Sequence, residues 1–183
     1  MNHGALPDPA AVADEVRRLV RDVPDFPKPG ITFKDITPLI AAPAAFRAVT
    51  ECLAGTVAAA GVTHVVAIES RGFIFGAPVA QTLGAALIPV RKPGKLPARA
   101  IREEYALEYG TDALEMHADA LTAGARALVV DDVLATGGTA SATCALVERA
   151  GGTVVACAFV IELGFLAGRS RLAGRTVASV VSY

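Results

Sequence analysis

Short apolar runs that alternate with helical segments constrain the fold of this chain more than any other feature. The runs are HVVAIE (64–69), AALIPV (85–90), RALVVD (126–131), TVVACAFVIE (153–162) and VASVVSY (177–183). Helical spacing predicts helices over 10–22, 43–60, from after SRGF to about Leu83, and 140–150. Strands that are apolar along their whole length are typical of a parallel sheet covered by helices on both faces. The sequence therefore predicts an α/β fold.

Bulk composition limits the class of protein. The chain has 183 residues, enough for one domain with a full core, and 53% of them are hydrophobic. This high apolar content also favours burial in a subunit interface. The formal net charge is -1, so no overall field attracts nucleic acid or an anionic membrane. The most apolar run, VVACAFVI (154–161), is far shorter than the ~18 residues of a membrane span. We therefore expect one domain over residues 1–183, cytoplasmic, without membrane or nucleic-acid partners.

The cysteines do not form a metal-binding pattern. Cys52, Cys144 and Cys157 are odd in number, have no metal-like spacing and lie among apolar neighbours. We expect buried free thiols in a reducing compartment.

Three polar loops follow predicted strands, at the edge where parallel sheets bind ligands. They contain ESRG (69–72), RKPGK (91–95) and DDVLATGGT (131–139). In the last of these, Gly137 and Gly138 allow the backbone to approach a ligand, and Thr136 and Thr139 add hydroxyl donors. A helix begins directly afterwards and turns its positive end toward the loop, which suits a phosphate monoester. The patterns GxxxxGK[ST] and GxGxxG are both absent from the chain.

Two acids precede the phosphate-binding glycines and need a partner other than phosphate. Carboxylates accept hydrogen bonds, and the vicinal diol of ribose offers two hydroxyl donors. A ribose 5-phosphate unit therefore satisfies both halves of VVDDVLATGGT, with its hydroxyls at Asp131 and Asp132 and its phosphate in ATGGT. The alternative is a plain strand–turn–helix junction with solvated acids.

VVDDVLATGGT resembles the signature of the type I phosphoribosyltransferases, which bind 5-phosphoribosyl 1-diphosphate (PRPP). From about residue 24 to 181 the chain is similar to the adenine phosphoribosyltransferase family. Besides that signature, the segments that carry the similarity are FPKPGITFKDITPLI (26–40), ESRGFIFGAPVA (69–80), RKPGKLP (91–97), EEYALEYG (103–110) and VIELGFLAGR (160–169).

The resemblance implies a fold and a reaction. The fold is a central, mainly parallel sheet of five strands with helices on both faces, an N-terminal hood over about 24–40 and a flexible hairpin arm over about 95–120. The reaction converts adenine and PRPP into AMP and diphosphate. The cofactor is Mg²⁺, held mainly through PRPP without direct protein ligands, and the protein is a homodimer.

The resemblance also implies roles for individual residues. The base-binding residues are Thr32, Phe33, Lys34, Arg71 and Leu163. The diphosphate-binding residues are Ser70, Arg71, Gly72, Arg91, Lys92, Lys95 and Tyr109. The ribose-phosphate residues are Asp131, Asp132, Ala135, Thr136, Gly137, Gly138 and Thr139. Catalysis is assigned to Glu108, Asp131 and Asp132, with Glu108 handling a proton or stabilising charge. The residue chemistry agrees, because Phe33 can stack on a purine and the cations suit diphosphate.

Several alternatives stay open at this point. Phe33 and Leu163 also suit a core, and the basic turn and the hairpin also suit a solvated surface. A 6-oxopurine phosphoribosyltransferase is the nearest enzymatic rival, since it differs only in the hydrogen-bonding edge of the base. A PRPP-sensing transcription regulator is the rival from another class, but this chain lacks the broad basic face or the added DNA-binding domain that such a protein uses.

Overall fold

The computed structural model of the protein describes residues 7–106 and 110–183. The helices are α1 (Pro9–Leu19), α2 (Thr37–Ile40), α3 (Pro43–Gly55), α4 (Gly72–Leu83) and α5 (Gly138–Arg149). The strands are β1 (Arg21–Val23), β2 (Phe33–Asp35), β3 (His64–Ile68), β4 (Ala86–Val90), β5 (Ala100–Ala106), β6 (Thr111–His117), β7 (Arg126–Leu134), β8 (Thr153–Glu162) and β9 (Val177–Ser182). Short 3-10 turns cover Ala58–Ala60, Gly164–Leu166 and Gly168–Leu172.

The centre of the molecule is a five-stranded sheet in the order β4-β3-β7-β8-β9, in which every neighbouring pair is parallel. Alternate side chains of its strands enter two separate cores. Leu128 and Val130 pack with α1 to α4 on one face, while Ala127 and Val129 pack with α5 and the β5–β6 hairpin on the other. The predicted α/β fold, with a mainly parallel five-stranded sheet and helices on both faces, is confirmed.

Some elements differ from the predicted boundaries. The first helix ends at Leu19 because the residues after it pair, as β1, with β2 in a small antiparallel sheet. The helix predicted over 43–60 ends at Gly55, and a 3-10 turn leads to Gly61 at φ 60°. Strand β7 continues to Leu134, where it pairs with Glu162 of β8. The prediction ended this strand at Asp131, and the extension places Asp132 within it as well.

The predicted arm contains the antiparallel strands β5 and β6, whose register pairs Tyr105 with Asp112. Its strands are attached to the body of the molecule. Leu114 and Met116 are fully buried, and Arg149 of α5 donates to the Arg102 carbonyl and to Glu103, both at 2.7 Å. Flexibility of the arm stays a prediction. Within residues 7–106 and 110–183, no helix has the length and apolarity to cross a membrane.

Candidate active site

A cavity of about 410 Å³ opens at the carboxyl ends of β3, β7 and β8. Its lining brings together most segments that the sequence singled out. The lining residues are Ile31, Thr32, Phe33, Lys34, Glu69, Ser70, Arg71, Asp131, Asp132, Val133, Ala135, Thr139 and Leu163. Parallel strands place their carboxyl ends at one edge, so residues about 100 positions apart in the chain share one cavity.

Asp131 and Asp132 form the acidic floor of the cavity and are both buried. The Asp132 backbone N–H donates to Asp131 Oδ1 at 2.9 Å, and Arg71 Nε lies 2.8 Å from Asp132 Oδ2 in an ion pair. Burial raises the pKa of Asp131 well above its usual value, and the charge of Asp132 raises it further. Burial also raises the pKa of Asp132, although Arg71 opposes this shift. Two carboxylates at so dry a site favour a ligand with hydroxyl donors or positive charge.

The loop after β7 borders the cavity and leads directly into α5. Gly137 takes a left-handed conformation, φ 80°, as the residue before α5, and Gly138 is the first residue of that helix. Ala135 and Thr139 line the main cavity, while Thr136 lines an adjoining one of about 590 Å³. The positive end of α5 and its first N–H groups therefore face this loop, as the sequence predicted.

The loop after β3 carries Ser70, Arg71 and Gly72, and its Glu69–Ser70 peptide bond is cis. A side-chain carbon at Gly72 would lie 2.8 Å from the Val130 carbonyl oxygen and 3.0 Å from Asp131 Oδ1. Only glycine therefore lets the first turn of α4 approach the acidic strand so closely. Gly72 thus has a packing role beside the predicted ligand role.

The residues predicted to bind the base enclose the other end of the cavity. Phe33 packs edge-on against Phe26, with ring centroids 5.2 Å apart, and the Arg71 guanidinium lies 4.8 Å from the Phe33 ring centre. The Lys34 side chain is bound to Asp22 at 2.7 Å, and its backbone lies in β2, in register with the same residue of β1. Leu163, the first residue after β8, lines the same cavity.

Two of the predicted diphosphate cations, Arg91 and Lys95, meet around Glu69, an acid to which sequence reasoning gave no role. Glu69 accepts from Lys95 Nζ and, at 2.8 Å, from the Lys92 backbone N–H, and Arg91 Nε lies 3.5 Å from it. Burial alone raises the pKa of Glu69, but the bonds from Lys95 and Lys92 outweigh it and hold that pKa below its usual value. The sequence feature that could have identified Glu69 as a site residue is its position directly after a buried strand.

Lys92 points its side chain elsewhere. Its ammonium donates to Asp112 and, at 2.8 Å, to the Tyr105 hydroxyl, a cross-strand pair near the turn end of the β5–β6 hairpin. Arg91, Lys92 and Lys95 are therefore brought together near the cavity, but none of them lines it. Glu108 and Tyr109, the other predicted site residues of this region, lie outside the described residues.

Comparisons with known proteins agree with this geometry. Residues 36–177 match the family model of the phosphoribosyl transferase domain. The chain is 52% identical over 179 residues to an adenine phosphoribosyltransferase of Myxococcus xanthus, covering 98% of this chain and 97% of that one. The crystal structure of adenine phosphoribosyltransferase from Rhodothermus marinus superposes with a TM-score of 0.91 at 52% identity, covering 95% of this chain and 99% of that one. The enzyme from Saccharomyces cerevisiae, complexed with an imino-altritol bisphosphate and adenine, gives a TM-score of 0.89 at 36% identity, covering 94% and 99%. The family expected from the motifs is thereby confirmed, and the chain belongs to the adenine phosphoribosyltransferase family.

Proposed function

We propose that the protein transfers the 5-phosphoribosyl group of PRPP to adenine and releases AMP and diphosphate, as a step of purine salvage. The observation that carries this proposal is the single cavity in which the acid pair, the phosphate loop and the hood residue Phe33 meet. Each of these features matches one part of the product AMP: the ribose, the 5-phosphate and the base. Membership of the family supports the same reaction.

The acid pair serves the ribose in this proposal. Asp131 and Asp132 accept hydrogen bonds from the two ribose hydroxyls, while residues 135–139 hold the 5-phosphate. Departure of diphosphate leaves positive charge on the sugar ring. Two buried carboxylates that repel one another in the free protein are stabilised by that charge, so their interaction is stronger in the transition state than in the ground state.

Mg²⁺ fits this site as a partner of PRPP. One acid of the pair is already bound to Arg71, and among the described residues no group of three or more His, Cys, Asp or Glu side chains could hold a metal ion. Mg²⁺ commonly binds through one or two carboxylates together with substrate phosphates. When bound it neutralises charge on the diphosphate. Arg71, Arg91, Lys92 and Lys95 orient the same group from the protein side.

The base lies between Phe33 and Leu163, with Arg71 and backbone groups at Thr32 and Lys34 along its edge. Adenine offers an amino donor where a 6-oxopurine offers an acceptor, and fixed backbone groups distinguish the two. The test is AMP formation from adenine, PRPP and Mg²⁺, with hypoxanthine and guanine as competing bases. We expect adenine to be preferred by a factor of at least about 10². Equal use of hypoxanthine or guanine, or no turnover, would contradict the proposal.

Glu108 and the arm complete the proposal. The arm excludes water from the reactive sugar, and Glu108 handles a proton or stabilises charge. A Glu108→Ala variant that binds PRPP normally and turns over at the wild-type rate would remove this residue from the mechanism.

We also propose that the protein is cytoplasmic and forms a homodimer. The dimer is supported by the 53% hydrophobic content and by the exposed Leu87 on the edge strand β4. Sedimentation at micromolar concentration tests the dimer.

A further inference from the structure

Two loops of the site are in unusually close contact. The phosphate loop (residues 135–139) follows β7, and the base turn (residues 163–168) follows the neighbouring strand β8. A side-chain carbon at Gly168 would lie closer than 3.0 Å to the Ala135 carbonyl oxygen, and one at Gly137 would lie equally close to the Gly168 carbonyl oxygen. The two backbones therefore touch, with no room for a methyl group on either side.

The residue after Gly168 ties the base turn to the sheet. Arg169 donates through Nε and one terminal nitrogen to the two carboxylate oxygens of Glu162, at 2.6 and 2.7 Å, and through the other terminal nitrogen to the Val177 carbonyl at 2.9 Å. Ser179 donates to the same carboxylate at 2.8 Å. Glu162 ends β8 and directly precedes Leu163. The arginine thus connects the two ends of the base turn, because it follows the turn and binds the residue before it.

We propose that Gly168 and Arg169 are positioning residues of the active site, which hold the base-facing Leu163 and the phosphate loop in one fixed arrangement. This inference rests on the proposed function, in which Leu163 covers the base and the loop holds the 5-phosphate. Ala135 connects the two, because it lines the cavity and its carbonyl oxygen faces Gly168. A displacement of about 1 Å in such a unit is enough to lower activity by about 10²-fold.

Gly168→Ala tests the backbone contact. The new methyl group must push the base turn away from the phosphate loop, and Gly168 has no positive φ that would add a second effect. Gly164→Ala is the milder change in the same turn, since its methyl group would meet Ser182 Oγ and the Tyr183 carbonyl oxygen at 3.3 Å, a tight contact that a shift of a few tenths of an ångström relieves. We expect Gly168→Ala to raise the KM for adenine, the KM for PRPP and the Kd for AMP by about tenfold or more, and Gly164→Ala to raise them by clearly less.

Arg169→Met tests the bonds from Arg169 to Glu162 and to the Val177 carbonyl, and Arg169→Lys is the conservative variant at the same position. Lysine keeps the charge but cannot form the bidentate hydrogen bonds to the carboxylate, so we expect it to restore the KM for adenine only in part. Arg175→Met is the control, because Arg175 also pairs with a glutamate, Glu148, at 2.7 Å, but on a surface away from the cavity. All three variants lower the Tm. Only the Arg169 variants should raise the KM for adenine, by about tenfold for Met and less for Lys.

The outcomes separate this inference from the function it builds on. Variants at Gly168 and Arg169 that lose only thermal stability, with unchanged KM values and AMP affinity, would overturn the positioning role. Failure of the wild-type protein to form AMP would overturn the proposed function instead. The Kd for AMP, measured by calorimetry on the same variants, decides the positioning role without any need for turnover.

Discussion

Asp131 is a buried carboxyl group beside a second carboxyl group, and its pKa is raised first by burial and then by Asp132. Because the folded pKa is raised, the native protein retains a proton that the unfolded chain releases from about pH 4 upward. The contribution of this group to stability is therefore present below about pH 4 and is lost as the pH rises through the folded-state pKa. At neutral pH this acid therefore lowers the stability of the fold.

Asp131→Asn should therefore separate activity from stability. Asparagine keeps the oxygen that accepts the Asp132 N–H but carries no charge. We expect turnover to fall by about 10²-fold or more, the loss typical of removing one preorganised electrostatic group. We also expect the Tm at pH 7 to rise, by about 2–4 °C for each kcal/mol recovered, and this gain to vanish near pH 4.

Scanning calorimetry at both pH values and an AMP-formation assay measure the two effects of Asp131→Asn. Asp119→Asn, at an exposed position, is the control and should change neither. Near-normal turnover by Asp131→Asn, or by the double variant with Asp132→Asn, would refute the ribose assignment.

Single residues differ in how well the sequence predicts them. Asp131, Asp132 and the TGGT residues belong to one continuous stretch, so their chemistry was visible together in the sequence. Glu69 was missed because its partner Lys95 lies 26 positions away and meets it only after β3 and β4 pair. Arg169 was missed for a similar reason, since one of its partners is the Val177 carbonyl on the neighbouring strand.

At the scale of elements, the buried parallel strands were predictable because their apolar runs carry a strong local pattern. The limits of β7 were not, because the polar acids at its end read as loop while pairing with β8 extends the strand past them. The small β1–β2 sheet joins residues 21–23 to 33–35 across a proline-rich connection, and no local periodicity indicates it. Long-range pairing decided both cases.

Helix α4 follows the loop of Ser70 and Arg71 and packs closely against β3, which leads to a prediction at this scale. A methyl group at Gly76 would lie 2.5 Å from the Ala67 side chain. We expect Gly76→Ala to destabilise the protein by about 1–3 kcal/mol through overpacking, partly offset by the ~1 kcal/mol better helix propensity of alanine. Urea unfolding measures the change.

A double variant, in which the methyl group of Ala67 on β3 is removed and one is added at Gly76 on α4, provides the control for Gly76→Ala. In an Ala67→Gly background the side-chain carbon that the new methyl group would contact is absent. Gly76→Ala should therefore lower the free energy of unfolding much less in that background than in the wild-type protein. Strictly additive effects of the two substitutions would show that the close approach of α4 to β3 does not limit the packing.

At the scale of the whole molecule, the site is close to electrically balanced before any ligand binds. Arg71 pairs with Asp132, and Lys92 pairs with Asp112. Lys95 and Arg91 both pair with Glu69. The whole chain has a formal net charge of -1. Each of these described cations is already within ion-pair distance of a carboxylate. The protein therefore has little unpaired positive charge there with which to meet a highly anionic substrate, and the added charge must come with the substrate.

Mg²⁺ should accordingly stabilise the protein only together with PRPP. At about 100 times Kd, PRPP with Mg²⁺ adds about 2.7 kcal/mol, or roughly 5–11 °C in Tm for a chain of this size. We expect a much smaller shift from PRPP with EDTA and none from Mg²⁺ alone, as measured by thermal unfolding. AMP is the control ligand, because it lacks the diphosphate and should stabilise equally with Mg²⁺ or EDTA. A Tm increase with Mg²⁺ alone would point instead to a metal held directly by the protein.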